Sequence, residues 1–183
     1  VYAVGLNGTI AHWNGHMWRS VGGAGTDVTW YGLYGHGESL ALVGTAGQIK
    51  FSMAGQIVEI ESPTGATLRD VFTADGATYW AVGDGGVIVK GEGEAWSLAT
   101  TPPLKGNLYG VHGNSADNIY AVGQGGQVVH YDGTSWTVVS GIPSSVAMLD
   151  LKTVWVDDVG VATITGKDGL ILQGDITTGF THF

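Results

Sequence analysis

Short runs of alternating apolar and polar residues recur along the whole chain, and glycine-rich segments separate them. Residues 9–13 and 127–131 are clear examples. Alternation with a period of two predicts β-strands, and the intervening glycines predict tight turns. Since no segment has the 3.6-residue spacing of an amphipathic helix, the pattern predicts an all-β protein.

A phrase of the form Tyr-Ala-Val-Gly recurs with a near-constant period. Its glycines are 39, 39, 40 and 43 residues apart, and a second glycine follows each of them three positions later. The glycines that mark the repeat are Gly5, Gly44, Gly83, Gly123 and Gly166. Because the second glycine never varies, we expect it to end a tight hairpin in a residue with positive φ.

Each unit of about 40 residues holds four predicted strands, which matches one blade of a β-propeller. A lone blade cannot bury both faces, so the units are expected to stack around an axis. A β-sandwich does not require so strict a repeat, and solenoid coils are usually shorter. The sequence therefore predicts one five-bladed β-propeller of four-stranded antiparallel blades over residues 1–183. The predicted blades are residues 1–23, 28–62, 67–101, 107–141 and 149–183.

The first blade is the irregular one, because the chain opens with what corresponds to a second strand. An inner strand could precede Val1, could be supplied by the C-terminal tail, or could be absent. Proteins normally cover unpaired strand edges, which favours residues upstream of Val1.

Charge and composition restrict the class of partner. Sixteen acidic residues against seven basic ones give a net charge of −9, which repels a nucleic-acid backbone. The absence of cysteine excludes disulfides and thiolate chemistry. No apolar stretch reaches the length of a membrane span. The chain starts without Met, inside a strand-like run, and this favours a mature exported protein in an extracytoplasmic location, periplasmic or secreted.

The fourth unit, from Tyr120 to Trp136, resembles the repeats of bacterial secreted propellers of the Asp-box (BNR-like) type and of the photosystem II stability/assembly factor family. In Asp-box turns an Asp orders the hairpin and a Trp packs between blades. Asp132 with Trp136 fits that pattern, and the second and fifth units depart from it. The partial matches are Asn14 with Trp18 and Glu92 with Trp96. The resemblance implies a propeller fold, an extracytoplasmic location and protein or glycan binding.

No catalytic or metal constellation emerges. Two arginines, Arg19 and Arg69, are too few for the three-arginine clamp of sialidases. A glycosidase pair of carboxylates would have to come from Asp70, Asp150, Asp157 and Asp158, of which the last two fall in a predicted turn. The histidines at equivalent blade positions are expected to lie far apart. We therefore expect no enzyme activity, no metal and no cofactor.

Aromatic residues provide the structural and binding candidates. Trp18, Trp96 and Trp136 each follow their repeat glycine by thirteen positions, which predicts a structural role in packing between blades. Tyr34, Phe72, His112 and Trp155 hold equivalent positions on the innermost strands and are expected near the axis.

The same strands carry a second equivalent set nearer their start, on the face where loops of a propeller gather. This set is the predicted ligand or partner face, and it comprises Tyr31, Arg69, Tyr109 and Lys152. Trp13, Trp30 and Tyr131 are predicted as exposed aromatic contacts for a protein or a sugar.

Together these features favour a non-catalytic scaffold that binds a protein partner or a membrane-associated complex. A multivalent lectin is the alternative, and a glycan-active hydrolase or lyase is a weaker one. The position seven residues after each repeat glycine is too varied for five equal sugar sites: His12, Phe51, Lys90, His130 and Gln173.

Overall fold

The computed structural model describes residues 1–22, 26–53 and 56–183. In these ranges the chain forms five antiparallel sheets, and neighbouring strands within each sheet follow one another in the chain. The strands are β1 Tyr2–Val4, β2 Ile10–Trp13, β3 Trp18–Gly22, β4 Trp30–His36, β5 Ser39–Gly44, β6 Ile49–Met53, β7 Gln56–Ile60, β8 Leu68–Thr73, β9 Thr78–Gly83, β10 Ile88–Glu92, β11 Ala95–Leu98, β12 Leu108–Ser115, β13 Asn118–Gly123, β14 Val128–Tyr131, β15 Trp136–Val138, β16 Leu151–Val156, β17 Ala162–Gly166, β18 Ile171–Asp175 and β19 Gly179–His182.

The sheets are the blades of the predicted five-bladed β-propeller, which is confirmed. Blades 2 to 5 have four strands each, and blade 1 has the three strands β1 to β3, as the irregular first repeat predicted. The predicted end of blade 1, residue 23, lies outside the described residues. Strand β19 pairs with β18 in blade 5, so residues 179–182 do not complete blade 1.

The first strands of blades 2 to 5 form the inner ring, where β4 lies against β8, β8 against β12, and β12 against β16. Each second strand β5, β9 and β13 carries five consecutive buried residues, because a neighbouring blade covers each of its faces. In the described part of the chain, one hydrophobic cluster fills each interface between successive blades.

Glycine is required at two points of each complete repeat. The turn after the second strand ends in a left-handed residue, such as Gly86 at φ 76° or Gly126 at φ 72°. At the repeat glycines Gly83 and Gly123, a Cβ would lie under 3.0 Å from the backbone carbonyl oxygen that precedes the inner strand. The strict glycine pattern thus follows from turn geometry and from close approach of two backbones.

Within the described residues, no further blade covers the outer faces of the first and last blades. Trp155 is 57% exposed and Ile171 is 43% exposed on the face of blade 5 that points away from blade 4. The helical segments in the described ranges are four single 3₁₀ turns, and none could cross a lipid bilayer.

Candidate functional site

A recurring β-bulge builds the predicted partner face. In each complete blade the pairing between the first and second strands skips one residue, between the first and third positions of the inner strand. A bulge leaves one residue out of the ladder and redirects its side chain. The four skipped residues are Tyr31, Arg69, Tyr109 and Lys152. The structure therefore places all four predicted residues at the same level of the inner ring.

These four side chains form one continuous contact series, which we call the Tyr–cation row. The Arg69 guanidinium carbon lies 5.6 Å from the ring centroid of Tyr31 and 5.4 Å from that of Tyr109. The Lys152 Nζ lies 3.8 Å from the Tyr109 centroid. Cations over aromatic faces at these distances attract the ring quadrupole, which holds the row together across four blades.

Two carboxylates fix the cations of the row in place. Arg69 donates to Asp84 through Nε at 2.5 Å and through Nη2 at 3.1 Å, and this hydrogen-bonded pairing raises the pKa of Arg69. Lys152 donates to Asp150 Oδ2 at 3.1 Å, which lowers the pKa of Asp150. The Lys167 Nζ lies 3.9 Å from the same carboxylate oxygen. The charges of Arg69 and Asp84 thus cancel, whereas the single negative charge of Asp150 is shared by two lysines, Lys152 and Lys167.

Asp70 lies directly next to the row, one residue further along β8. Its Oδ2 accepts a hydrogen bond from the backbone N–H of Val111 at 3.0 Å, and its Oδ1 accepts one from Val71 at 2.9 Å. Burial raises the pKa of Asp70 to about 6, because desolvation outweighs the two hydrogen bonds. This carboxyl group ties blade 3 to blade 4 beneath the Tyr–cation row.

The predicted axial residues form a second series of rings further along the inner strands. The ring centroids of Tyr34 and Phe72 are 5.0 Å apart, and those of Phe72 and His112 are 4.7 Å apart. Trp155 continues the series at 6.2 Å from His112. These contacts pack the inner ring on the far side of Asp70 from the Tyr–cation row.

Three aromatic residues were predicted to be exposed, and for Trp30 the prediction is wrong. It is 4% exposed and belongs to the cluster between blades 1 and 2, because the first position of an inner strand points into the core. The equivalent residues Leu68, Leu108 and Leu151 are fully buried as well. Trp13 is partly buried.

Tyr131 is partly buried too, 4.5 Å from the ring of Trp80 and 5.4 Å from that of Trp136. These rings pack at the interface of blades 3 and 4, so Tyr131 contributes to the interior more than to an exposed contact surface.

The three structural tryptophans differ in their surroundings. Trp136 is 4% exposed and lies 5.3 Å from Trp80 of the preceding blade. Trp96 is half-buried and packs against the cluster between blades 2 and 3. Trp18 departs from the expected packing between blades, since it is 51% exposed and its ring contacts Trp13 of its own blade. The reason is that no blade covers this face of blade 1 in the described ranges.

The Asp-box-like hairpin, expected to fit well in the fourth unit and partially in the first and third, is present in the fifth as well. Asp132 Oδ1 accepts backbone hydrogen bonds from Thr134 and Ser135 at 2.9 and 2.8 Å. Asp175 accepts the equivalent bonds from residues 177 and 178, although the fifth unit was expected to depart from this pattern. The sequence does contain the signal for this hairpin, because Asp175 follows its repeat glycine by nine positions, as Asp132 does.

Sequence reasoning missed the three carboxylates that organise the site. Asp84 and Asp150 vary among the repeats, so no recurring pattern pointed to them. The sequence presents Asp70 and Asp150 only as candidate catalytic acids, whereas Asp70 accepts hydrogen bonds from two backbone amides and Asp150 pairs with lysines. Among residues 1–22, 26–53 and 56–183, no group of three His, Asp or Glu side chains is placed to hold a metal ion.

Comparison with known proteins supports the fold. No protein-family model matches the chain, and no curated protein sequence matches it. Among solved structures 185 chains match, and one of them is YCF48 bound to D1 peptide. That match has a TM-score of 0.72 at 14% sequence identity and covers 100% of this chain but 64% of that chain. The chain thus spans just under two thirds of that solved chain, and at this identity the likeness concerns the fold alone.

Proposed function

We propose that this chain is a non-catalytic β-propeller that acts outside the cytoplasm as a protein-interaction subunit of a larger, membrane-associated assembly. The observation that carries the proposal is the Tyr–cation row, which the same bulge assembles in four successive blades. Tyr and Arg are enriched among the residues that dominate binding at protein interfaces. YCF48, which has a similar fold, is bound to a peptide in its solved structure, and this supports the same class of ligand here.

The charges along the row indicate the chemistry of the partner segment. Arg69 is neutralised by Asp84, but Lys152 and Lys167 share the single carboxylate of Asp150. The blade 5 end of the row therefore has surplus positive charge in a chain of net charge −9. A partner segment that places a carboxylate there, and aromatic or aliphatic groups along Tyr31 and Tyr109, would complement the row.

A peptide array gives the first test. The array displays decapeptides that contain zero, one or two carboxylates, each with and without an aromatic residue. We expect retention to rise with one carboxylate beside an aromatic residue and to weaken as salt is raised, because exposed charges are screened. Equal retention of neutral and acidic peptides would contradict the assignment of the row as the binding face.

The two arginines of the chain provide a matched pair of variants. Arg69→Gln removes the cation that contacts both Tyr31 and Tyr109 and is itself a candidate contact for the peptide. Truncation of an arginine that dominates an interface costs more than about 1 kcal/mol, so we expect roughly tenfold weaker binding of the retained peptides. Arg19→Gln removes the same charge from an exposed position on β3, in blade 1 and outside the row, and should bind like the unchanged protein. Titration calorimetry measures both, and equal losses in the two variants would count against the row.

Two further measurements test the rest of the proposal. Fractionation of the source cells should place the protein outside the cytoplasm, and its recovery in the cytosolic fraction would overturn the location. A glycan array should show no specific sugar. Binding of one defined sugar, lost when aromatic residues in several blades are changed, would replace the protein partner by a carbohydrate.

A further inference from the structure

We propose that the cavity between blades 4 and 5 binds an organic cation, a primary ammonium group carried on an alkyl chain. The cavity has a volume of about 570 Å³ and lies beside the turn that follows β12, at the end of this strand opposite the Tyr–cation row. It is therefore a second site, independent of the proposed function. Its wall includes Asp117, Asn118, Tyr120, His130, Asp132 and Asp175.

A smaller cavity of about 190 Å³ occupies the equivalent place between blades 3 and 4. Lys90 lines it and lies directly opposite Trp80 on the neighbouring strand. In blade 4 the same two positions of the repeat are held by His130 and Tyr120, which are also cross-strand partners. The two cavities are thus copies of one site, and the groups in the smaller copy indicate what the larger one can hold.

A glycine of blade 5 explains why the second copy is larger. Tyr131 lines the smaller cavity, where its ring lies 4.5 Å from that of Trp80. The equivalent residue of blade 5 is Gly174, since both follow their repeat glycine by eight positions. Gly174 is confined to glycine here, because a Cβ would collide with the carbonyl oxygen of Gly179. The space that a tyrosine ring takes up between blades 3 and 4 is therefore open between blades 4 and 5.

The larger cavity has the carboxylates of a recurring ion pair without its cation. In blade 3 the acidic residue nine positions after the repeat glycine is Glu92, and Lys90 Nζ lies 2.6 Å from its Oε1. The equivalents in blades 4 and 5 are Asp132 and Asp175, and both line the larger cavity. In the part of the chain that the structure describes, neither of them pairs with a lysine or arginine, and neither does Asp117. An ammonium group would supply the missing charge.

His130 is an independent feature that indicates a hydrogen-bond donor as the ligand. Its side chain is 3% exposed, and its Nε2 lies 2.8 Å from Asn118 Oδ1. Asn118 Nδ2 donates to Asn114 Oδ1 at 2.8 Å, and Asn114 Nδ2 donates to the backbone carbonyl of Asp158 at 3.4 Å. Because this chain of donors makes Asn118 Oδ1 an acceptor, the proton of the neutral imidazole is on Nε2.

The other ring nitrogen of His130 is then an acceptor without a donor. Burial lowers the pKa of His130, which favours the neutral ring, and Nδ1 has no hydrogen-bond partner among the described residues. Two more acceptors are close to this ring: Asp132 Oδ2 and Asp117 Oδ2, whose Oδ1 atoms alone accept hydrogen bonds within the described ranges. These three acceptors match the three N–H donors of a primary ammonium group in number.

An NMR titration of the isotope-labelled protein with three small probes tests the site. N-acetyl-lysine methylamide presents the ammonium of a protein side chain, n-butylamine presents that of a free amine, and N-acetyl-norleucine methylamide lacks the charge. We expect the ring resonances of His130 to shift saturably with an ammonium probe and to respond at least tenfold more weakly to the norleucine compound.

The ranking of the probes separates the two sources of the cation. Tighter binding of the blocked lysine would identify a lysine side chain of a protein as the ligand, and tighter binding of n-butylamine would identify a free amine. Equal binding of the norleucine compound would overturn the proposal. So would calcium ions that saturate the same resonances at lower concentration than either amine, because the site would then prefer a metal.

His130→Lys gives the larger cavity an ammonium of its own, as Lys90 does in the smaller one. We expect this variant to bind the tighter ammonium probe at least tenfold more weakly than the unchanged protein. His12→Lys is the matched control, because His12 holds the same position of the repeat in blade 1 and lies outside the cavity. Equal affinity of His130→Lys and the unchanged protein would contradict an ammonium site.

A second variant removes charge and keeps the fold. Asp132→Asn combined with Asp175→Asn should preserve both hairpins, because Asn14 Oδ1 accepts the same two backbone hydrogen bonds in blade 1. We expect at least tenfold weaker binding at an unchanged melting temperature. Asp75→Asn is the control, since Asp75 orders a similar turn outside this cavity. Undiminished binding by the double variant would overturn the proposal.

Discussion

Asp70 allows the clearest test of the site's electrostatics, through the change Asp70→Asn. Burial raises the pKa of this carboxyl group from 3.8 to about 6. The folded protein therefore binds a proton at Asp70 more readily than the unfolded chain does. The free energy of unfolding therefore decreases as the pH rises from 3.8 through about 6, because the unfolded chain ionises at Asp70 before the folded protein does. The lost stability returns as the pH falls back toward 3.8.

The magnitude follows from the size of the shift. A shift of about two pH units corresponds to roughly 3 kcal/mol, which is fully present above pH 7. Between pH 8 and pH 5 the linkage relation gives a change of about 1.5 kcal/mol in the contribution of Asp70. Asn cannot ionise and retains one acceptor oxygen, so the hydrogen bond that it loses gives an offset independent of pH.

Urea unfolding of the unchanged protein and Asp70→Asn, measured from pH 5 to pH 8, isolates this contribution. The difference between the two proteins is the relevant quantity, because burial lowers the pKa of His112 and His130 and these groups reduce stability as the pH falls below 6.5. We expect the difference to shift by about 1.5 kcal/mol in favour of the variant as the pH rises. Asp132→Asn is the control, since backbone hydrogen bonds lower the pKa of Asp132 and its profile should stay parallel. Parallel profiles for Asp70→Asn as well would refute the reasoning.

Two further predictions concern packing in the inner ring and between blades. Trp136→Ala should lower the free energy of unfolding by about 3–5 kcal/mol in urea denaturation, because it empties a buried site between two blades, whereas Trp18→Ala should change it by less than about 1 kcal/mol. A similar cost for both would show that blade 1 is covered in solution. Gly32→Ala should cost about 1–3 kcal/mol, since the new Cβ would lie 2.8 Å from the Asp70 Cα, and Gly65→Ala should be neutral or slightly stabilising in a thermal melt. Equal melting temperatures for the two glycine variants would contradict the close approach of the inner strands.

The sequence by itself determined the features that recur in every repeat. The period, the four strands of a complete blade and the glycines of the turns could all be read from it, because turns and strand pairing depend on residues close together in the chain. Alignment of the repeats also identified Tyr31, Arg69, Tyr109 and Lys152 as equivalent positions. The bulge that brings them together has no common sequence signal, since the skipped position is occupied by different residue types.

The tertiary structure decided whatever depends on the neighbouring blade. Trp18 and Trp136 hold the same position in the repeat, yet one is half exposed and the other is buried, because only the second has a blade to pack against. Trp30 was expected at the surface and lies in the core, since it packs in the cluster between blades 1 and 2 with Ile10 of the preceding blade. Likewise, Asp84 and Asp150 became partners of the row only through folding. A local repeat specifies hydrogen bonding within a blade, but burial and ion pairing arise between blades, where each contact joins two different copies of the repeat.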